Sequence, residues 1–191
     1  MSERETPDEL WVIRHGETEW SRDGLHTSHT ELELTPAGEA VARRLEQRLE
    51  GVEFDLVLTS PRLRARRTAE LAGFPDAELD EDLTEWDYGD YEGLTTATIR
   101  EAVPGWTVWT HPCPGGDTAE EVSARMDRVV ARVRDHGGRV LVFSHGHASR
   151  ALAARWLDQP VQEGRLFSLD TATISVLGSE RESPTVLRWN S

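Results

Sequence analysis

Two stretches of this chain combine residue types suited to phosphoryl or proton chemistry: Arg14-His15-Gly16 and Ser144-His145-Gly146-His147. A guanidinium can hold an oxyanion through paired N–H bonds, and an imidazole can serve as base or nucleophile near neutral pH. Each stretch closes an apolar run, residues 10–13 (Leu-Trp-Val-Ile) and residues 140–143 (Val-Leu-Val-Phe). Short continuous runs of this kind read as strands buried on both faces. A third such run, residues 55–60, is followed at once by Arg62, Arg64, Arg66 and Arg67. Each feature alone also has a plain reading. One Arg-His-Gly is equally a strand-end histidine bonded to backbone, with Gly16 free to take positive φ, and Arg66 and Arg67 read as a solvated basic face. His26, His29, His111 and His136 read as loop or helix-end residues, while His147 is a candidate for substrate contact.

The elements that must position these groups alternate. Thr35-Pro36 starts a helix whose apolar face carries Val41, Leu45 and Leu49, and Gly51 ends it. Ser60-Pro61 is expected to cap a second helix, with Arg64 about one turn in. Thr118 and Glu121 form a capping box ahead of Val122, Met126, Val129, Val130 and Val133. A helix with Ala151, Leu152, Ala154 and Leu157 follows His147, and residues 166–177 and 186–189 read as antiparallel or edge strands. Strand-helix alternation predicts an α/β fold, a three-layer α/β/α sandwich with a mostly parallel central sheet and an antiparallel edge. Chemistry in such sheets collects past the carboxyl ends of the strands. The three strand ends should therefore converge. Residues 73–117, crowded with Trp86, Tyr88, Tyr91, Trp106 and Trp109 and broken by Gly and Pro, read as an inserted lid or edge segment within a single domain spanning 1–191. Glu85 lies there among rings, where a desolvated carboxyl suits a general acid. Asp87, Asp90 and Glu92 read as a surface acidic loop.

Composition narrows the classes. The 191 residues carry a formal charge of −14, which argues against nucleic acid or an anionic membrane as partner. There is no lysine, so all 21 basic residues are arginine, and a Walker-type phosphate loop or a Schiff-base mechanism is excluded. The single cysteine, Cys113, rules out an internal disulfide. The spacing of a hydrolytic metal centre is missing, so no metal is expected. The charged residues 1–9 carry no apolar signal region, and no run of ~18 apolar residues could span a bilayer, which together lead to the expectation of a soluble, cytoplasmic protein.

Four motifs in this order resemble the histidine phosphatase superfamily, in its phosphoglycerate mutase-like branch. They are residues 14–18 (Arg-His-Gly-Glu-Thr), residues 60–69 (Ser-Pro-Arg-Leu-Arg-Ala-Arg-Arg-Thr-Ala), Leu83-Thr84-Glu85 with Gly89, Glu92 and Gly93, and Ser144-His145-Gly146. The resemblance implies that His15 becomes a phosphohistidine, that Arg14, Arg64 and His145 grip the phosphoryl oxygens, and that Glu85 donates the proton. It also puts Ser21, Thr27, Ser28 and Gly146 beside His147 at the substrate, and implies no cofactor. Cofactor-dependent mutases share Thr27 but usually carry Asn at the place of Ser21 and Gly at that of Ser28. Only Arg100 is basic between Arg67 and Arg125, a poor seat for a doubly anionic intermediate. The 85–93 stretch is more similar to bacterial acid phosphatases and to the sedoheptulose-bisphosphatase branch. The expectation is a metal-independent phosphatase of small phosphorylated metabolites. The alternatives are a phosphoglycerate mutase and a non-catalytic phospho-ligand module, and an exposed aromatic edge would suit a homodimer.

Overall fold

The computed structural model describes residues 8–191; residues 1–7, most of the charged N-terminal stretch, lie outside it. In order, the elements are β1 (Glu9–Arg14), α1 (Glu19–Asp23), α2 (Pro36–Leu49), β2 (Leu56–Thr59), α3 (Leu63–Leu71), β3 (Glu78–Leu79), α4 (Thr96–Ala102), α5 (Ala119–His136), β4 (Arg139–Ser144), α6 (Gly146–Trp156), β5 (Ile174–Glu180) and β6 (Ser183–Arg188). They build a six-stranded sheet in the order β3-β2-β4-β1-β5-β6. The first four of these strands run parallel, and β5 and β6 form the antiparallel edge. No helix among the described residues is long and apolar enough to cross a membrane.

Side chains alternate across a strand, and here both faces are covered. Leu10, Val12, Val140 and Val142 enter the core under α5 and α6, while Ile13, Leu141 and Phe143 enter the core under α2 and α3. This is why the three runs are continuously apolar. The 18-residue α5 carries the expected capping box, and its five predicted core residues are all buried.

Three expectations need correction. The helix after β2 starts at Leu63 with Arg62 at its N-cap, not at Ser60-Pro61; the Ser60 hydroxyl accepts the Arg62 N–H at 3.4 Å and also meets His145 Nε2. Gly16 is not at positive φ; a Cβ there would lie 2.9 Å from the Gly38 carbonyl, so close approach to α2 is what requires glycine. The aromatics of 73–117 do not make an exposed edge. Trp86, Tyr88, Trp106 and Trp109 are buried in the core on the α5–α6 side, which removes the ground for expecting a dimer.

Candidate active site

Strand register brings the reactive groups together. Arg14 of β1 lies opposite Ser144 of β4, so His15 and His145 leave neighbouring strands side by side, with ring centroids 5.2 Å apart. Thr59 pairs with Phe143, which sets Ser60 opposite Ser144 and its hydroxyl within reach of His145. A cavity of about 170 Å³ opens at this edge, lined among others by Arg14, His15, Glu85, Gly146 and His147.

His15 is 5% exposed, and its Nδ1 lies 2.7 Å from the Gly16 carbonyl. A carbonyl only accepts, so Nδ1 carries the proton and Nε2 keeps its lone pair. Burial first, then the charges of Arg64 and Arg14, hold the His15 pKa well below 6.5. Arg14 donates from Nη1 to the Leu169 carbonyl at 2.6 Å, while its buried Nε has no partner among the described residues. A desolvated guanidinium N–H without an acceptor suits an oxyanion.

Arg64 is 0% exposed, and its Nε donates to His145 Nδ1 at 3.2 Å. That bond makes Nε2 the protonated nitrogen of His145, and it donates to Ser60 Oγ at 2.7 Å. Burial, followed by the Arg64 charge, keeps His145 neutral with its pKa well below 6.5.

Glu85 is set differently from the sequence expectation of a carboxyl among rings. Its Oε1 accepts the N–H groups of Trp86 (2.9 Å) and Ala148 (2.7 Å), and its Oε2 accepts that of His147 (3.1 Å). It therefore caps the first turn of α6. Arg125 of α5 fixes the segment from behind, donating to the carbonyl of Glu85 at 3.3 Å and to Asp117 at 2.9 Å. Only glycine permits the backbone crossing beside it, since a Cβ on Gly116 would lie 2.2 Å from the Asp87 carbonyl.

Of the other sequence candidates, Ser21, Thr27, Gly146 and His147 line the cavity. Ser28 does not; it is buried behind Arg64, where its hydroxyl donates to Glu92. Sequence reasoning missed three cavity residues with polar side chains, His26, Tyr88 and Arg150. His26, read as a loop histidine, packs 4.6 Å from the Tyr88 ring with its pKa lowered to about 4 by burial. Tyr88, by sequence a lid aromatic, brings its hydroxyl to 2.6 Å from His147 Nδ1. Burial raises the tyrosine and lowers the histidine, so this bond joins two neutral groups. Arg150 lies over the Trp109 ring, 4.9 Å from its centroid. One turn beyond His147 on the same helix face, it had a signal in its i, i+3 spacing. Glu92 is no free surface acid, because it accepts backbone N–H bonds from Ser28 and Thr30. Cys113 is buried, and burial pushes its thiol up to about 12, so it stays an inert core residue.

Comparison with known proteins identifies the family and the fold. The model of the histidine phosphatase superfamily (branch 1) matches residues 10–191. An acid phosphatase from Mycobacterium tuberculosis is 47% identical over 175 residues, covering 90% of this chain and 86% of its own length. A 2,3-bisphosphoglycerate-dependent phosphoglycerate mutase from Methylobacterium sp. is 38% identical over 162 residues, covering 75% of this chain and 77% of its own. The solved structure of an open reading frame product from Mycobacterium tuberculosis superposes with a TM-score of 0.92 at 45% identity, covering 95% of this chain and 96% of that one. A family match across nearly the whole chain joins the strand-end motifs to the fold that places them, and the chain belongs to the histidine phosphatase superfamily (branch 1).

Proposed function

We propose that this chain is a metal-independent phosphomonoester hydrolase that acts through a phosphohistidine on small phosphorylated metabolites. The observation that carries the reading is His15, whose Nδ1 is tied to the Gly16 carbonyl at 2.7 Å so that Nε2 faces the reaction with a free lone pair. Nε2 forms a bond to phosphorus as the ester P–O bond breaks, and Glu85 protonates the departing alkoxide. Glu85 then takes a proton from water, whose oxygen attacks phosphorus and breaks the N–P bond, releasing inorganic phosphate and restoring His15. Arg14, through its unpartnered Nε, and Arg64 hold the non-bridging oxygens throughout, with His145 packed beside them between Arg64 and Ser60. Such positioning and charge neutralisation account for most of the roughly 20 kcal/mol by which the barrier must fall.

The weak point of a mutase reading is the seat for a second anion. Arg100 is tied by its Nε to the Trp106 carbonyl at 2.8 Å and is not part of the cavity wall. Arg150 does line the cavity, and two of its nitrogens donate to the Gly164 and Arg165 carbonyls. We assign it to the far end of the leaving group. Arg150→Met is expected to raise KM about tenfold more for a bisphosphate than for an aryl phosphate, the worth of one charge-assisted hydrogen bond. Equal effects on both esters would remove Arg150 from that role.

The direct test is phosphate release from an aryl phosphate, 3-phosphoglycerate and sugar bisphosphates, in chelator and without bisphosphoglycerate. Release under these conditions is the expected result. Absence of release, with isomerisation of 3-phosphoglycerate once bisphosphoglycerate is added, would make the protein a mutase.

The pH profile follows from His15. Protonation removes the attacking lone pair, and the folded pKa lies well below 6.5, so activity is lost only as pH falls through that lower value. The acid limb of kcat/KM should therefore lie below pH 6.5; a limb at or above it would contradict the environment described. Stability has the same sign. His15, His26, His145 and His147 all have lowered folded pKa values, so below pH 6.5 the unfolded chain binds protons first and stability declines. Thermal melts between pH 7 and 5 check this second point.

A further inference from the structure

Arg64 is held from behind by a loop and not by a carboxylate. Its Nη1 donates to the Thr30 carbonyl, and its Nη2 to the carbonyls of Thr27 and Ser28, all at 3.1 Å. Neutral carbonyls are weaker partners than a carboxylate, so they leave the guanidinium's charge available, but its aim depends on where they point. Glu92 fixes them. Its Oε2 accepts the Ser28 N–H at 2.8 Å and also the Ser28 hydroxyl, and its Oε1 accepts the Thr30 N–H at 3.0 Å. One carboxylate thus staples both ends of the 28–30 loop. Burial alone would raise the Glu92 pKa, but these bonds outweigh it and hold the group below its ordinary value. Neither Glu92 nor Arg64 is in the cavity wall; Arg64 meets the site through its Nε bond to His145, whose ring packs on that of His15.

We propose that Glu92 is a positioning residue for phosphoryl transfer, acting through the 28–30 loop on Arg64. The inference rests on the reading of Arg64 as a holder of phosphoryl oxygens. A carboxylate that only kept the loop folded would affect stability. One that aims Arg64 must also affect the affinity for an oxyanion, and only while Arg64 is present.

The test is a double-mutant cycle of Glu92→Ala and Arg64→Ala, with Glu92→Gln as the milder variant. Its readouts are kcat and KM on an aryl phosphate, inhibition by inorganic phosphate, and Tm. Glu92→Ala is expected to lower kcat/KM roughly 10²-fold, the cost of a misplacement near 1 Å, and to weaken phosphate inhibition. Glu92→Gln should fall between, since its carbonyl oxygen can serve Ser28 while its amide presents a donor to the Thr30 N–H. In the Arg64→Ala background the same Glu92 change should cost less than about twofold, within the scatter of independent sites. Equal losses in both backgrounds, or a lowered Tm with phosphate inhibition unchanged, would overturn the inference. Little loss in Arg64→Ala itself would overturn the grip assigned to Arg64, and this inference with it.

Discussion

His15→Ala is expected to lower phosphate release by about 10⁴-fold or more while the protein stays folded, the loss typical of removing an enzyme's own nucleophile. The structure separates the two effects. The His15 side chain makes one hydrogen bond, to the carbonyl next in sequence, and its ring borders a cavity that already exists. Losing one such bond costs about 1 kcal/mol, a shift of roughly 2–4 °C for a chain of this size. Neither histidine beside it offers a free lone pair. His145 has both ring nitrogens engaged, and His147 is tied to the Tyr88 hydroxyl. Brief incubation with a radiolabelled ester followed by alkaline denaturation should trap label on the wild type, as an N–P bond that acid then releases. His15→Ala should trap none. Retained turnover in the variant would overturn the mechanism, and failure to label or turn over in the wild type would leave a phospho-ligand binding module.

The strand ends were legible in the sequence because a parallel strand covered on both faces is written as an unbroken apolar run, and Arg14, His15 and His145 stand where such runs stop. Their convergence needed only the general rule for parallel sheets. The residues that sequence reasoning misplaced are those whose partners are distant along the chain. His26 reaches the cavity because its N–H donates to the Leu94 carbonyl at 2.9 Å and Leu25 bridges to Thr95, pairings with no periodic signal. Glu92 looked like one acid in an acidic loop, since nothing local ties it to Ser28 and Thr30, more than sixty residues earlier. Capping preference places Ser60 at a helix start, but its hydroxyl also meets His145, a partner from the end of another strand. Aromatic crowding in 73–117 marks side chains the fold buries, Trp86 and Trp106 among them. Composition alone does not say against which layer a ring packs.

Glu85 presents the case where two roles must be told apart, because the same carboxylate caps α6 and faces the cavity. In Glu85→Gln, the amide oxygen can still accept from Trp86 and Ala148, but the amide nitrogen would meet the His147 N–H as a second donor, and no proton remains to give. Losing the charge at the helix N-terminus costs about 0.3–1 kcal/mol, a modest drop in Tm. The chemical loss should be much larger and should depend on the ester. For an alkyl phosphate the departing alkoxide needs the proton, and phosphoenzyme formation should slow roughly 10²–10⁴-fold. For a nitrophenyl phosphate the leaving group is already a stable anion, so formation should be little changed, while hydrolysis of the phosphoenzyme still lacks its base. That combination predicts a burst of nitrophenol equal to the enzyme present, followed by slow turnover, with phosphoenzyme accumulating. A purely structural role would act through the shape of the site, slowing both esters by the same factor with no burst. Rapid-mixing kinetics on the two esters therefore decide whether the carboxylate that caps this helix is also the group that moves the proton.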